Sequence, residues 1–448
     1  MTSLAADVDR TKRVDVLVAG AGVLGVSVSY WLSSLFECRV MLVDPERVMG
    51  AHASSRNTGV LHRPYYLDPR SKRVFARSAD LSWGMWKELA RRVSAPWSEV
   101  GTLDVAVEDA DVSTLERYKE WGEQNGMARG ELVFMSSHEV SELEPEVSGR
   151  AGLYVKDDVS VDFGYLTRAL GAMAAENGVD FEGGMRVTRV ENSEDGLSVV
   201  LSGPHGSPSE VVRCGFMVNV AGGGALPIAH SRGLAKDCSV LNFRGDYWVV
   251  RQPFASRVRR NIYTPPRYPR FPFLDPHFVV KADGTRQIGP NAALVTGPYV
   301  YEGVGIAGLG RLLSAPMMPK LRLLSDLDVV AMAMDEWRSS TSKRAMCSRV
   351  ARFIPGLKSG ELGGRGVSGV RCSLVNAGGF VPEALVLNDE RSMHVLNYNS
   401  PGATGAPSFS AMLVARLMAG GHLDWLRRRA PVPHLLWDFE STAGELGL

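Results

Sequence analysis

Three glycines stand at GxGxxG spacing near the start of the chain, in Gly20-Ala21-Gly22-Val23-Leu24-Gly25. The first of such glycines allows a tight turn, the second lets a pyrophosphate approach the backbone, and the third lets a helix pack closely on a strand. Free N–H groups at the helix start then meet the phosphate. Asp44, followed by Pro45, lies at about the 20-residue separation from which a carboxylate reaches a ribose hydroxyl. Further on stand two histidines, His62 after RNTGVL and His277 in PHFVV, and an arginine, Arg371, in GVSGVRC. An imidazole holds or releases a proton near neutral pH. A guanidinium grips a carboxylate through two parallel hydrogen bonds.

These residues need elements to position them. VDVLVA before the glycines reads as a buried strand, VSVSYWLSSL after them as a helix, and RVMLVD as a second strand ending at Asp44. From Val16 to Phe36 no residue is charged, and a helix needs roughly 20 apolar residues to cross a bilayer. Three clustered glycines, with Arg39 and Asp44 close behind, favour a dinucleotide-binding unit over a membrane span. Two later glycine turns follow the same logic. The strand in VVRCGFMVNVAGGGA runs into Ala221-Gly222, and HVLNYNSPGATGAPSFSAMLVARL places Gly402-Ala403-Thr404 at the start of an amphipathic helix. Three distant glycine turns suit a long cofactor, FAD rather than NAD.

The 448 residues, 45% of them hydrophobic, can bury a large core, and a net charge of +1 provides no field for nucleic acid or acidic lipid. Five scattered cysteines without a CxxC pair argue against zinc or a disulfide framework and for a reducing, cytoplasmic setting. No histidines fall at metal-ligand spacing. MTSLAADVDRTKR does not read as a secretory signal, and there are no repeats or low-complexity tails.

The stretch GAHASSRNTGVLHRPYYLDPRSKRVFAR resembles the flavin-contacting helix of the glycine/D-amino-acid oxidase-like FAD flavoproteins, and within them the L-2-hydroxyglutarate oxidase/dehydrogenase branch. ELEPEV, SVDFGYLTRAL, NFRGDYWVV, IYTPPRYPRFPFLDPHFVVKADGTRQIGPNA, SSTSKRAMCSRVARFIPGL, GVSGVRC and NSPGAT keep the order of that family over almost the whole chain. Two departures fall where substrate and flavin ring should meet. Arg63-Pro64-Tyr65-Tyr66 is one residue shorter than the pattern and carries a bulky cation, and Gly402-Ala403-Thr404-Gly405 replaces an alanine-rich turn.

The resemblance implies an α/β fold. It has an FAD-binding Rossmann-like domain with a parallel central sheet (residues 1–95, 160–235 and 375–448). An interleaved α+β substrate domain on a mixed or antiparallel sheet takes residues 96–159 and 236–374. GTLDVAVE and FRGDYWVVR alternate as half-buried strands of a sheet roofing the flavin. The resemblance puts the strand near Val187 at the adenine, and Ser54, Arg56, Asn57, Thr58 and Gly59 at the phosphates or flavin ring.

The implied reaction moves a hydride from C2 of a small 2-hydroxy acid to flavin N5 and a proton from its hydroxyl to a base. Arg371 would anchor the carboxylate, and His62 or His277 would be the base. Arg63, Tyr65, Tyr66, Arg244, Tyr247 and Lys343 would line the substrate pocket, with Lys72, Arg244 or Lys343 as a second cation. His52 is where a covalent flavin bond could form, but nothing in the pattern favours one, so non-covalent FAD is expected. An amine or amino-acid oxidase and a non-catalytic FAD electron-relay subunit are the competing readings. The electron acceptor (oxygen, a quinone or a partner protein) stays open, and a peripheral membrane contact would need no transmembrane anchor.

Overall fold

Strand β1 (Lys12–Ala19), helix α1 (Val23–Leu35) and strand β2 (Val40–Asp44) follow one another in the expected order. The computed structural model describes residues 12–203, 209–268, 271, 275–305, 316–325, 327–429 and 435–447. The N-terminal stretch read for a signal, and part of the PPRYPRFPFLDPHF block, therefore lie largely outside the described residues.

β1 pairs in parallel with β2 on one side and with Glu210–Asn219 on the other. β2 pairs in parallel with Asp180–Gly183, and the end of Glu210–Asn219 pairs with Ser392–Leu396. Antiparallel strands Arg186–Ser193 and Gly196–Ser202 extend this sheet. Alternate residues of β1 and β2 face opposite sides. Val16, Val18, Val40 and Leu42 join a core with α1, whereas Leu17, Ala19, Met41 and Val43 pack with Val187, Val190, Leu197 and Val199. Strands covered on both faces read as continuous apolar runs, and α1 is buried from Val23 to Ser34. The long charge-free segment is thus the centre of a doubly covered sheet. Among the described residues no helix is long and apolar enough to cross a membrane.

A mixed eight-stranded sheet stands apart, in the order Leu362–Arg365, Trp248–Val250, Arg286–Gly289, His277–Val280, Asn261–Tyr263, Thr102–Ala106, Ala151–Val155, Leu132–Ser136. A four-stranded antiparallel sheet comprises Ala293–Val295, Ser239–Gly245, Gly369–Asn376 and Gly379–Phe380.

Three expectations change. FRGDYWVVR is not one strand: it leaves the four-stranded sheet at Gly245 and enters the eight-stranded sheet at Trp248. The break falls at Asp246, whose N–H goes to Asn291 Oδ1 instead of a ladder partner. Thr102–Ala106 is buried at every position rather than half-buried, because Asp104 turns under Tyr65 while Leu103 and Val105 enter the core. The helix Gly402–Ala419 is not amphipathic but buried on nearly all sides. Trp31 and Trp86 donate indole N–H bonds to its carbonyls at Pro407 and Thr404.

Candidate active site

The glycine loop is tightly constrained. Gly20 has φ +106°, and a Cβ there would fall 2.6 Å from both Ala221 Cα and Val220 O. A Cβ on Gly25 would lie 1.8 Å from the Gly20 carbonyl oxygen, so helix and strand touch through bare backbone. Gly22 caps α1 without a side-chain bond, the first turn holds no acid, and a Cβ on Gly22 would meet only Ser54 Oγ, at 3.3 Å. Ser54 Oγ accepts from the Val23 N–H at 2.9 Å. Asp44 accepts from the N–H groups of Ala21 (2.7 Å) and Glu46 (2.9 Å). Burial nonetheless raises its pKa, against these bonds.

A cavity of about 780 Å³ runs from this loop. Of the residues expected at the cofactor, Gly20, Gly22, Val23, Leu24, Asp44, Pro45, Ser54, Arg56, Asn57, Thr58, Val187, Ala221, Gly222, Gly402 and Ala403 line it. Ala21, Gly25, Gly59 and Thr404 stand behind the lining. Gly59, at φ +77°, would place a Cβ 2.7 Å from Val161 O, and Thr404 Oγ1 accepts from the His62 N–H at 3.4 Å. A helix N-terminus free of acids with Ser54 on its first N–H, glycines leaving room for a phosphate and Asp44 behind them fit a dinucleotide. Lys281 Nζ donates to the carbonyls of Asn57 (3.0 Å) and Thr58 (3.2 Å), tying the eight-stranded sheet to the RNTG turn.

The same cavity continues along His62, Tyr66, Tyr247, Tyr263, His277 and Arg371. His62 follows the short strand Val60–Leu61. Its Nδ1 lies 2.8 Å from Asp158 Oδ2, and Asp158 Oδ1 accepts from the Arg63 N–H at 2.6 Å. His277 opens its strand with Nδ1 3.0 Å from the Asp275 carbonyl. A carbonyl only accepts, so this Nδ1 carries the proton and Nε2 is a bare lone pair. That Nε2 is itself buried, with no hydrogen-bond partner among the described residues. Burial, with His62 adding to it against the pull of Asp275, pushes the pKa of His277 down to about 3. Its ring stacks on Tyr263 at 3.9 Å, and Tyr263 stands edge-on to His62 at 5.5 Å.

Arg371 is the third residue of its strand, opposite Phe243. Burial lowers its pKa, while Tyr66 and Tyr247 act in the other direction. A guanidinium keeps its charge in proteins. The two tyrosines are pushed upward by burial and stay neutral phenols. Arg371 thus brings a positive charge to the cavity wall beside two neutral tyrosines.

Four residues expected in the substrate pocket lie elsewhere. The Arg63 guanidinium turns to Asp80 (3.0 Å) and Glu131 (3.3 Å). Tyr65 is buried with its hydroxyl 3.5 Å from Asp104. Arg244 forks onto Asp246 at 2.8 and 3.2 Å. Lys343 donates to Leu362 O at 3.2 Å and sits over the Trp248 ring. Lys72 is likewise drawn off, to the Pro382 carbonyl. His52 lines the cavity, with Nδ1 2.6 Å from the Tyr301 hydroxyl, Nε2 3.1 Å from Glu46 and its ring on Tyr299. Sequence reasoning missed Asp158 and Tyr263. Asp158 stands just before SVDF with an ordinary acidic neighbour, and its partner His62 is 96 residues away.

A family model described as FAD dependent oxidoreductase matches residues 15–417. The chain is 27% identical over 417 residues to a mitochondrial L-2-hydroxyglutarate dehydrogenase of Caenorhabditis elegans, covering 90% of this chain and 93% of that protein. It is 26% identical over 399 residues to an L-2-hydroxyglutarate dehydrogenase of Indibacter alkaliphilus, covering 88% and 96%. Among solved structures, FAD-bound L-α-glycerophosphate oxidase from Mycoplasma pneumoniae superposes with a TM-score of 0.70 at 21% identity, covering 95% of this chain and 97% of that one. Glycine oxidase from Geobacillus kaustophilus gives 0.67 at 19%, covering 95% and 100%.

Proposed function

The chain belongs to the FAD dependent oxidoreductase family, and we propose that it oxidises a small 2-hydroxy acid of the L-2-hydroxyglutarate kind to the 2-oxo acid. The observation that carries this reading is the joining of Arg371, His62 and the dinucleotide loop by one continuous cavity. In it a carboxylate anchor and a proton acceptor share a wall with the cofactor's cradle.

Arg371 binds the substrate carboxylate, with Tyr66 and Tyr247 beside it as neutral donors. His62 takes the hydroxyl proton on Nε2. His277, held neutral and with its own Nε2 sealed, shapes the pocket without taking that proton. The cofactor is FAD, held by Gly20, Gly22, Ser54, Arg56, Asp44, Val187 and the turns at Gly222 and Gly402, without a covalent bond. Bound flavin supplies the acceptor for the hydride released from C2. The cofactor and substrate parts divide at about residues 95, 160, 235 and 375. The reading also includes a reducing, cytoplasmic setting, which suits five cysteines free of disulfides.

Anaerobic mixing tests the reading. L-2-Hydroxyglutarate should bleach the flavin absorbance and yield a 2-oxo acid. Bleaching by a 2-amino acid and by no 2-hydroxy acid would overturn it.

A further inference from the structure

We propose that Asp158 is the positioning residue for His62, fixing the imidazole as its Nδ1–H tautomer and leaving Nε2 as the lone pair that receives the substrate proton. This rests on the reading of His62 as the base. Asp158 is fully buried, and both its oxygens are used, Oδ2 by His62 Nδ1 at 2.8 Å and Oδ1 by the Arg63 N–H at 2.6 Å. An ionised carboxylate only accepts, so Nδ1 must donate. Nε2 of His62 has no hydrogen bond among the described residues, and unlike that of His277 it is not sealed.

The two histidines then differ in one respect that matters. His277 donates to a neutral carbonyl, His62 to a carboxylate. When the substrate O–H breaks and its proton joins Nε2, the freed oxygen pair becomes the second C–O bond as the C2 hydride leaves for the bound flavin. The ring is then a cation, and of the two only His62 is hydrogen-bonded to a carboxylate, since the Asp275 carboxylate near His277 is already paired with Arg267 and Arg349.

The Arg63 N–H makes the test sharp. In Asp158→Asn the amide oxygen is pinned at Oδ1 by that donor, so the amide nitrogen must face His62. An amide nitrogen only donates, so Nδ1 must become the acceptor and the proton moves to Nε2. Asp158→Ala removes the partner without imposing the wrong tautomer. Nitrogen-15 NMR of the histidine-labelled holoenzyme reads the tautomer without substrate. Turnover is followed with L-2-hydroxyglutarate, and binding with 2-oxoglutarate.

The expected result is an Nδ1–H His62 in the wild type and an Nε2–H His62 in Asp158→Asn. Turnover should fall on the order of 10³–10⁴-fold in Asp158→Asn, as a wrong tautomer does elsewhere, and fall less in Asp158→Ala. FAD content and 2-oxoglutarate affinity should be retained in both. An Nε2–H His62 in the wild type would overturn the proposal, as would Asp158→Asn turning over at least as well as Asp158→Ala. A wild type that ignores every 2-hydroxy acid would overturn the substrate reading instead, and the tautomer result would still decide the role of Asp158.

Discussion

Gly25→Ala tests whether the loop works by backbone contact. The new methyl would stand 1.8 Å from the Gly20 carbonyl oxygen and 3.1 Å from Val220 Cγ2. A carbon normally keeps about 3.3 Å from a carbonyl oxygen, so helix and strand must part by roughly 1.5 Å. Gly20 cannot recede, because Ala221 and Val220 back it. Overpacking against backbone costs about 3 kcal/mol at the upper end of its usual range, and alanine's helix propensity offsets about 1 kcal/mol of that. The net loss in the apoprotein is about 2 kcal/mol. Parting the loop also pulls N–H donors from the pyrophosphate. Each lost bond to a charged group weakens FAD by about 1.5–3 kcal/mol, roughly 10- to 150-fold. Gly22→Ala is the control. Its methyl meets only the Ser54 hydroxyl at 3.3 Å and the backbone there is unstrained, at φ −73°. It should leave apoprotein stability near wild type while obstructing the pyrophosphate. Denaturant unfolding of the apoproteins and fluorescence titration with FAD separate the two effects. Wild-type stability and FAD affinity in Gly25→Ala would refute the argument, as would a Gly22→Ala apoprotein less stable than Gly25→Ala.

Three other outcomes follow from the same geometry. With Arg371 as the proposed anchor, Arg371→Ala would remove two charge-assisted hydrogen bonds, so the dissociation constant for 2-oxoglutarate should rise roughly 10²- to 10⁴-fold; a change below tenfold would place the carboxylate elsewhere. His277 has a folded pKa of about 3, below that of an unfolded histidine. The unfolded chain therefore binds the extra proton as pH falls, and stability is full above about pH 6.5 and declines toward pH 3 at roughly 1.4 kcal/mol per unit. Urea unfolding at pH 5 and pH 7 should show His277→Gln lacking about 2 kcal/mol of the wild-type difference. Asp104 is the reverse case. Burial, with Asp111 and Asp158 adding to it against Tyr65, raises its pKa to about 8, so its stabilising proton is lost as pH rises from about 4 to 8. Asp104→Asn should gain stability relative to wild type over that window, and a difference that stays flat with pH would count against the buried, protonated carboxyl.

The cofactor half was legible because its constraints are local. A strand buried on both faces must be apolar throughout, and a helix meeting a strand through bare backbone must carry glycine at Gly25. The cofactor turns at Ala221-Gly222 and Gly402-Ala403 were legible as small residues at a strand end and a helix start, Gly222 standing at φ +54° in open space, and all four line the cavity. The substrate half was less legible because a cation's fate depends on distant carboxylates. Arg63 meets Asp80 and Glu131 only after the chain has folded back. Arg244 pairs locally, with Asp246 two residues on, but only because the chain leaves its strand at Gly245, which the alternation of FRGDYWVVR did not disclose.

The histidines show where such reading stops. His62 follows a short buried strand and His277 opens one, and neither has a local sequence that distinguishes a base from a bystander. His277 takes its partner from the backbone two residues before it, and a backbone carbonyl is neutral whatever the residue type. His62 takes its partner from a side chain 96 residues away, and that side chain is ionisable. The tautomer is the same in both, so the difference arises only once a proton arrives. An imidazolium hydrogen-bonded to a buried carboxylate is a paired charge, and one hydrogen-bonded to a neutral carbonyl is not. The proposed assignment of the base to His62 therefore rests on the charge of its second partner, which the residue type of the histidine does not encode.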